Sequence, residues 1–326
     1  MNLDQIPRTV LGCWPTPIQP LDRLSDFLGG PRILVKRDDL CGPAFGGNKI
    51  RKLEYLVADA LAQGCDTLLT AGAAQSNHCR QTAAAAARCG LECHLALGGS
   101  EPSDRDGNLF LDHLLGARIH WCGTHRKGEG LAALAEQLRA VGRRPCVIPY
   151  GGSSALGAVG FARAMVELQA QDVQPSHVLF ASSSGGTHAG MQVGRLLAGS
   201  SPALWGIRID KEDRPDRPFR TEVQDLALAC AHLLGLPEHS SLLDVELRED
   251  WLEPGYGVVS AAEQEAVSLA ARMEGLLLDP VYTGRAFAGL LALVRRGAFS
   301  RSDRVLFWHT GGTPALFPYR RELLRN

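Results

Sequence analysis

Apolar runs of five to seven residues alternate with helix-patterned segments along almost the whole chain, and this alternation restricts the fold more than any other feature. The runs are "RILVK" (32–36), "DTLLTA" (66–71), "CHLAL" (93–97), "PCVIP" (145–149), "HVLFAS" (177–182), "ALWGIRI" (203–209) and "RVLFWH" (304–309). Helix-patterned segments lie between them, near 50–63, 77–89, 129–141, 155–170, 187–198, 220–234, 260–274 and 283–296. Short continuous apolar strands separated by helices predict parallel sheets covered on both faces, an α/β fold of two doubly wound domains. Glycine and proline punctuation at "CGPAFGGNK" (41–49) and "IPYGGSSALG" (148–157) marks the junctions. The expected division is a larger domain of residues 1–50 and 156–326 and a smaller inserted domain of 51–155. In open α/β sheets ligands sit beyond the carboxyl ends of strands, so the loops there are where chemistry is expected.

Bulk properties exclude several classes. A net charge of −1 over 326 residues gives no field for nucleic acid or an anionic membrane surface. The start, "MNLDQIPRTVLGCWP", lacks the charged and apolar segments of a secretory leader, and stretches such as "LLALV" fall short of a membrane span. Nine cysteines, odd in number and scattered, suit reduced thiols and a cytoplasmic protein. Cys89, Cys93 and His94 cluster in sequence, but a strand at "LECHLAL" sends Cys93 and His94 to opposite faces. We expect buried thiols beside an exposed imidazole, and no metal site.

Five loops carry candidate chemistry. In "GGNKIRKLE" (46–54), Lys49 directly follows a glycine turn. A nucleotide P-loop is excluded: Ile50 follows the lysine where that loop needs a hydroxyl for magnesium. In "FASSSGGTHAG" (180–190) a strand runs through Ser184, Gly185, Gly186 and Thr187 into a helix. Close-approaching amides, hydroxyls and a helix N-terminus suit a phosphate monoester, and the spacing is not that of a dinucleotide loop. Against this stands a plain glycine turn with an N-cap. In "AGAAQSNHCRQTAAAA" (71–86), Gln75, Ser76, Asn77 and His78 gather at a helix start whose free amides can hold a carboxylate, whereas one capping residue alone would suffice for the helix. Near the C-terminus, Tyr282 and Thr283 begin a helix and Thr310 ends a buried strand; singly, each reads equally well as core or turn. Together, a lysine on a tight turn, a phosphate cradle, a carboxylate corner and a hydroxylated aromatic make up the parts of a pyridoxal 5'-phosphate site, with Lys49 as the Schiff-base lysine.

At these residues the chain resembles the D-cysteine desulfhydrase and 1-aminocyclopropane-1-carboxylate deaminase family, within the tryptophan-synthase-β-like, fold type II pyridoxal-phosphate enzymes. "VKRDDL…FGGNKIRKLEYL", "TLLTAGAAQSNHCRQTAAAAA", "VIPYGGSSALGAVGF", "LLLDPVYTGRAFAGL" and "HTGGTPALFPY" match in order, from about residue 8 to 320. The resemblance implies that Lys49 binds the cofactor covalently, that Asn77 meets its ring oxygen, and that Ser184, Gly185, Gly186 and Thr187, helped by Lys52, hold its phosphate. It implies a second site tyrosine, placed at Tyr256, and a homodimer. The deaminase pattern has glutamate and leucine where this chain has Thr283 and Thr310, which match the desulfhydrase pattern. A hydroxyl cannot keep the pyridine nitrogen protonated as a carboxylate can, so the electron sink is weaker and favours substrates with a good β leaving group. The expected reaction is a carbon–sulfur lyase reaction, α,β-elimination of D-cysteine to pyruvate, ammonia and hydrogen sulfide. Ser76, Asn77 and His78 receive the substrate carboxylate, Lys49 takes the Cα proton, and Tyr282 or Tyr256 serves the leaving sulfur. Thr310 is the first choice for the pyridine nitrogen and Thr283 the second. Deaminase or L-cysteate sulfo-lyase activity is the alternative, and a non-catalytic cofactor-binding protein the distant one. The loop at 41–49 is worded like the deaminases, and the charged stretch 208–220 is expected to bear on substrate access.

Overall fold

Each of the seven apolar runs is a strand in the computed structural model, which describes residues 3–200, 202–210, 217–237 and 239–324. In chain order the strands are β1 (Ile18–Pro20), β2 (Arg32–Arg37), β3 (Thr67–Ala73), β4 (Glu92–Gly98) and β5 (Arg118–Trp121), then β6 (Pro145–Val147), β7 (His177–Ser182), β8 (Ala203–Arg208), β9 (Glu246–Arg248) and β10 (Arg304–His309). The helices are α1 (Asp22–Leu28), α2 (Lys49–Ala62), α3 (Asn77–Cys89), α4 (Gly107–Leu114) and α5 (Leu131–Ala140), then α6 (Ala155–Ala170), α7 (Gly186–Leu197), α8 (Phe219–Leu233), α9 (Ala261–Glu274), α10 (Thr283–Arg295) and α11 (Arg320–Leu323). Strands β1, β5 and β9 and helices α1, α4 and α11 have no counterpart in the sequence reading. They are short, and the three strands lie at sheet edges, where one neighbour is missing and little apolar surface is needed.

The strands form two sheets, a six-stranded one in the order β1-β2-β10-β7-β8-β9 and a four-stranded one in the order β5-β4-β3-β6. All pairings are parallel except β1 with β2. Period-two alternation divides the larger sheet. Ile33, Val35, Leu179, Ile207, Val305 and Phe307 pack against Ala266 and Ala270 of α9 and Phe287 and Leu290 of α10. Their neighbours Leu34, Val178, Phe180, Leu204, Leu306 and Trp308 face Phe161 and Met165 of α6 and Met191 of α7. Each such fully buried side chain contributes about 1.5–3 kcal/mol of hydrophobic stabilisation. In the smaller sheet Leu68, Cys93, Leu95 and Leu97 meet α2 and α3, while Leu69, Ala71 and Ala96 meet Leu131, Ala135 and Leu138 of α5. The alanine run of α3 is buried from Ala83 to Ala86.

One expectation needs revision. His94 is not exposed: it is buried, stacked on His120 of the next strand with Nδ1 to Nε2 at 3.0 Å, because α5 covers that face of the sheet. In the charged stretch 208–220, residues 211–216 lie outside the described residues. Among the described residues, no group of three or more histidine, cysteine or acidic side chains is arranged to hold a metal ion.

Helix α2 is anchored from beneath by buried charge. Arg51 donates to Asp38 at 2.8 Å through both Nε and Nη2, and to Glu167 at 2.9 and 3.0 Å. Trp308 Nε1 and the Thr16 hydroxyl complete Asp38, and Lys36 completes Glu167. On its other side α2 touches α6 at Gly160, where a Cβ would lie 2.2 Å from the Arg51 carbonyl oxygen. These contacts place the first turn of α2 at the carboxyl edge of both sheets.

Candidate active site

Lys49 opens α2, residues 76–78 follow β3 into α3, residues 182–188 join β7 to α7, Tyr282 precedes α10, and Thr310 follows β10. With Asn48, Tyr150 and Gly151, all of these but Gly186 line one cleft of about 610 Å³, open solvent at its mouth included. The fold therefore brings together Lys49, Ser76, Asn77, His78, Ser184, Gly185, Thr187, Tyr282 and Thr310 from segments more than two hundred residues apart. Lys52 stands just behind the wall, its Nζ donating to the Gly151 carbonyl (3.1 Å) and Ser153 Oγ (3.3 Å). Gly186 contributes backbone at the same point.

The turn before Lys49 depends on glycine. Gly47 has φ of 120°, and a Cβ there would lie 2.6 Å from Gln81 Nε2. Gln81, on α3, reaches across to accept from the backbone N–H groups of Lys49 (2.9 Å) and Ile50 (3.1 Å), and so caps α2 in place of Asn48. Burial away from water pulls the Lys49 pKa down to about 8, against an opposing contact with Lys52. Burial first, and then the neighbouring Lys49, hold Lys52 well below the ordinary lysine range. Two amines in one dry cleft cannot both stay charged without an anion between or beside them.

An anion cradle lies beside the pair. Gly185 has φ of 80°, and a Cβ on Gly186 would lie 2.7 Å from Ser153 Oγ and 3.0 Å from Lys52 Nζ. The Gly186 N–H donates to Ser153 Oγ (3.1 Å), Ser153 donates to Ser184 Oγ (2.8 Å), and Asn48 Nδ2 donates to Thr187 Oγ1 (3.2 Å). Backbone amides at the start of α7, hydroxyls and a buried lysine are the donor set a phosphate monoester needs. Lys49 beyond it has the depressed basicity of a Schiff-base lysine, so the residues fit pyridoxal 5'-phosphate.

At the opposite wall Ser76 caps α3, accepting from Cys79 N–H at 3.2 Å. Among the described residues, the backbone amides of Asn77 and His78 have no acceptor, and both residues line the cleft. Asn77 is oriented from behind. Arg80 Nε donates to Asn108 Oδ1 (2.7 Å), so Asn108 presents Nδ2 to Asn77 Oδ1 (2.8 Å) and leaves the Asn77 amide nitrogen for the cleft. Tyr282 closes the cleft, its hydroxyl 2.5 Å from that of Tyr256. Burial raises the pKa of both phenols, so both remain protonated. Tyr256 is a partner of Tyr282 rather than a cleft residue, and Arg126 lies over its ring at 4.4 Å.

Thr283 stands outside the cleft lining. Its hydroxyl donates to Asp279 Oδ1 (2.7 Å) and accepts from Asp279 N–H (2.9 Å), while the same carboxylate caps the N–H groups of Val281, Tyr282 and Thr283. Of the two threonines only Thr310 reaches the cavity, and among the described residues no acidic side chain lines it. The sequence reading missed Tyr150, Ser153, Asn108 and Gln81. For Ser153 a signal existed, a serine directly after the positive-φ pair Gly151-Gly152; the other three act through tertiary contacts alone.

Residues 10–311 match the family described as pyridoxal-phosphate dependent enzyme, and the chain belongs to that family. Among its relatives is the D-cysteine desulfhydrase of Salmonella choleraesuis (strain SC-B67), 45% identical over 327 residues, covering 98% of both chains. A crystal structure described as an ACC deaminase homologue superposes with a TM-score of 0.90 at 37% identity, covering 99% of this chain and 97% of that one. The processed form of threonine deaminase isoform 2 from Solanum lycopersicum shares the fold alone, with a TM-score of 0.67 at 16% identity, covering 96% of this chain and 83% of that one. The architecture is that of the fold type II pyridoxal-phosphate enzymes, and the cofactor is pyridoxal 5'-phosphate.

Proposed function

We propose that this enzyme is a D-cysteine desulfhydrase, eliminating hydrogen sulfide from D-cysteine to leave pyruvate and ammonia. The observation that carries the reading is the composition of the cleft wall: a lysine of lowered basicity faces a carboxylate corner and a phenol, and no acidic side chain among the described residues lines the space. The 45% identity to a desulfhydrase supports the same substrate.

Pyridoxal phosphate, when bound, supplies the electron sink for the carbanion formed at Cα. Lys49, Lys52, Asn77, Ser184, Gly185, Gly186, Thr187 and Thr310 would hold it. Ser76 Oγ and the free amides of Asn77 and His78 bind the substrate carboxylate at the start of α3, where the helix end favours negative charge. Lys49 Nζ accepts the Cα proton; a pKa of about 8 leaves an appreciable neutral fraction near pH 7. The Tyr282 hydroxyl, held by Tyr256, donates to the departing sulfur. Thr310 would offer the pyridine nitrogen a hydroxyl in place of a carboxylate, so the sink would be modest, sufficient for a thiolate leaving group.

The inserted-domain reading, residues 51–155 within 1–50 and 156–326, is supported by the smaller sheet drawing its strands from 67–147 only. A homodimer is supported by exposed Phe110 and Leu114 on α4 and Phe317 beside it, and a cytoplasmic location by nine free cysteines. No helix among the described residues is long and apolar enough to cross a membrane. The decisive experiment measures sulfide and pyruvate from cofactor-loaded protein with D-cysteine, L-cysteine, L-cysteate and 1-aminocyclopropane-1-carboxylate. Preferential release from D-cysteine is expected; 2-oxobutyrate from the cyclopropane substrate, or sulfite from cysteate, would replace the reading by one of its two relatives.

A further inference from the structure

We propose that His78 is a positioning residue for Lys49, its imidazole fixed as the Nε2–H tautomer so that the bare Nδ1 accepts a hydrogen bond from the free lysine amine. The tautomer follows from a count of hydrogens. The Thr70 hydroxyl has one, and it donates to the Ile148 carbonyl at 2.8 Å. Its 2.9 Å contact with His78 Nε2 must then be made by the imidazole N–H, which leaves Nδ1 unprotonated. That nitrogen is buried without a hydrogen-bond partner, in a residue only 4% exposed. An orphaned acceptor at such a position destabilises the fold unless something in the cleft donates to it.

The donor is best supplied by Lys49. Both residues line the same cleft. Lys52 is committed to Gly151 O and Ser153 Oγ. A Cβ on Gly152 would lie 3.6 Å from His78 Cε1 and 3.4 Å from Lys52 Cδ, and a Cβ on the preceding Gly151 would lie 3.6 Å from Lys49 Nζ, so one glycine pair borders the imidazole and both lysines. Burial, and then the charges of Lys49 and Lys52, hold the imidazole neutral. The ring cannot bind the substrate carboxylate as the sequence reading expected, because a bare lone pair repels it; only the His78 backbone amide remains for that task.

The inference rests on Lys49 being the base. When the Cα–H bond breaks, its electron pair stays on carbon and the proton forms a new N–H bond on Lys49. The resulting ammonium keeps donating to Nδ1, and His78 takes no proton itself. One N–H held by His78 aims the remaining lysine lone pair at the substrate.

Nitrogen-15 NMR of the full-length, histidine-labelled protein stripped of cofactor tests the arrangement without activity. We expect a neutral Nε2–H ring for His78, with an Nδ1 resonance that moves downfield in Lys49→Ala as the hydrogen bond is lost. In cofactor-loaded protein, His78→Leu should lower kcat about 10–100-fold with little change in KM. His78→Asn, whose Oδ1 replaces the Nδ1 acceptor, should recover most of that loss at equal cofactor absorbance. An Nδ1–H tautomer, an Nδ1 signal indifferent to Lys49→Ala, or an Asn variant no better than Leu would each overturn the proposal. Failure of the wild type to act on D-cysteine would instead sink the functional reading while leaving the NMR result intact.

Discussion

Lys49 carries a burial penalty whose sign can be tested. Its folded pKa of about 8 lies below the ordinary 10.5, so below pH 8 both folded and unfolded chains hold the proton and the fold bears the full cost. Between 8 and 10.5 the unfolded chain still binds a proton that the fold has shed, and stability rises with pH. In cofactor-free protein, Lys49→Met should therefore stabilise the fold by roughly 2 kcal/mol at pH 7, with the gain fading toward pH 10.5. Urea melts at several pH values read this directly, and a gain that grew with pH would contradict it. The phenol pair makes a second prediction. Tyr282→Phe removes the hydroxyl that faces the cleft and should lower kcat about 10–100-fold, whereas Tyr256→Phe removes only its partner and should cost about tenfold or less. The reverse order would make Tyr256 the leaving-group donor. From sequence the two tyrosines could not be ranked, because their order depends on how the 253–259 segment lies against the start of α10.

Among elements, the turn that opens α2 is the most demanding. Gly47→Ala places a Cβ at a φ of 120° and 2.6 Å from the Gln81 amide that caps the helix. We expect a loss of about 2–4 kcal/mol in thermal or denaturant melts, combining backbone strain with a displaced cap. Turnover should fall with it, since Lys49 is the first residue after the cap. A neutral effect would mean that the turn is malleable and that Lys49 is placed by the buried Arg51 cluster instead. The sequence made this turn visible, because consecutive glycines before a lysine are readable locally. The cap was hidden, because Gln81 lies more than thirty residues away and interior glutamines of helices carry no such signal.

For the whole molecule, the two sheets are tied across the cleft mouth. Arg126, after β5 of the smaller sheet, pairs with Asp210 at 2.9 Å beyond β8 of the larger one and lies over Tyr256. Arg126→Met should raise KM for D-cysteine several-fold with only a modest loss of stability, because Lys127 Nζ, 3.4 Å from the buried Asp210, remains to pair with it. Steady-state kinetics beside a melt separate the two effects. A large stability loss with unchanged KM would make the contact structural alone.

Local pattern determined the layered α/β architecture and made the turn before Lys49 legible. Continuous apolar runs, glycine turns and serine-rich helix starts are short-range features whose physical consequences need no distant partner. Short edge strands escaped because they bury too little to leave a pattern. Only the tertiary structure decided that Thr310 reaches the cleft while Thr283 turns to Asp279, that Tyr282 faces the cavity with Tyr256 behind it, and that Thr70 sets the His78 tautomer. Each of these is a choice between hydrogen-bond partners, and partners are assigned by packing rather than by sequence.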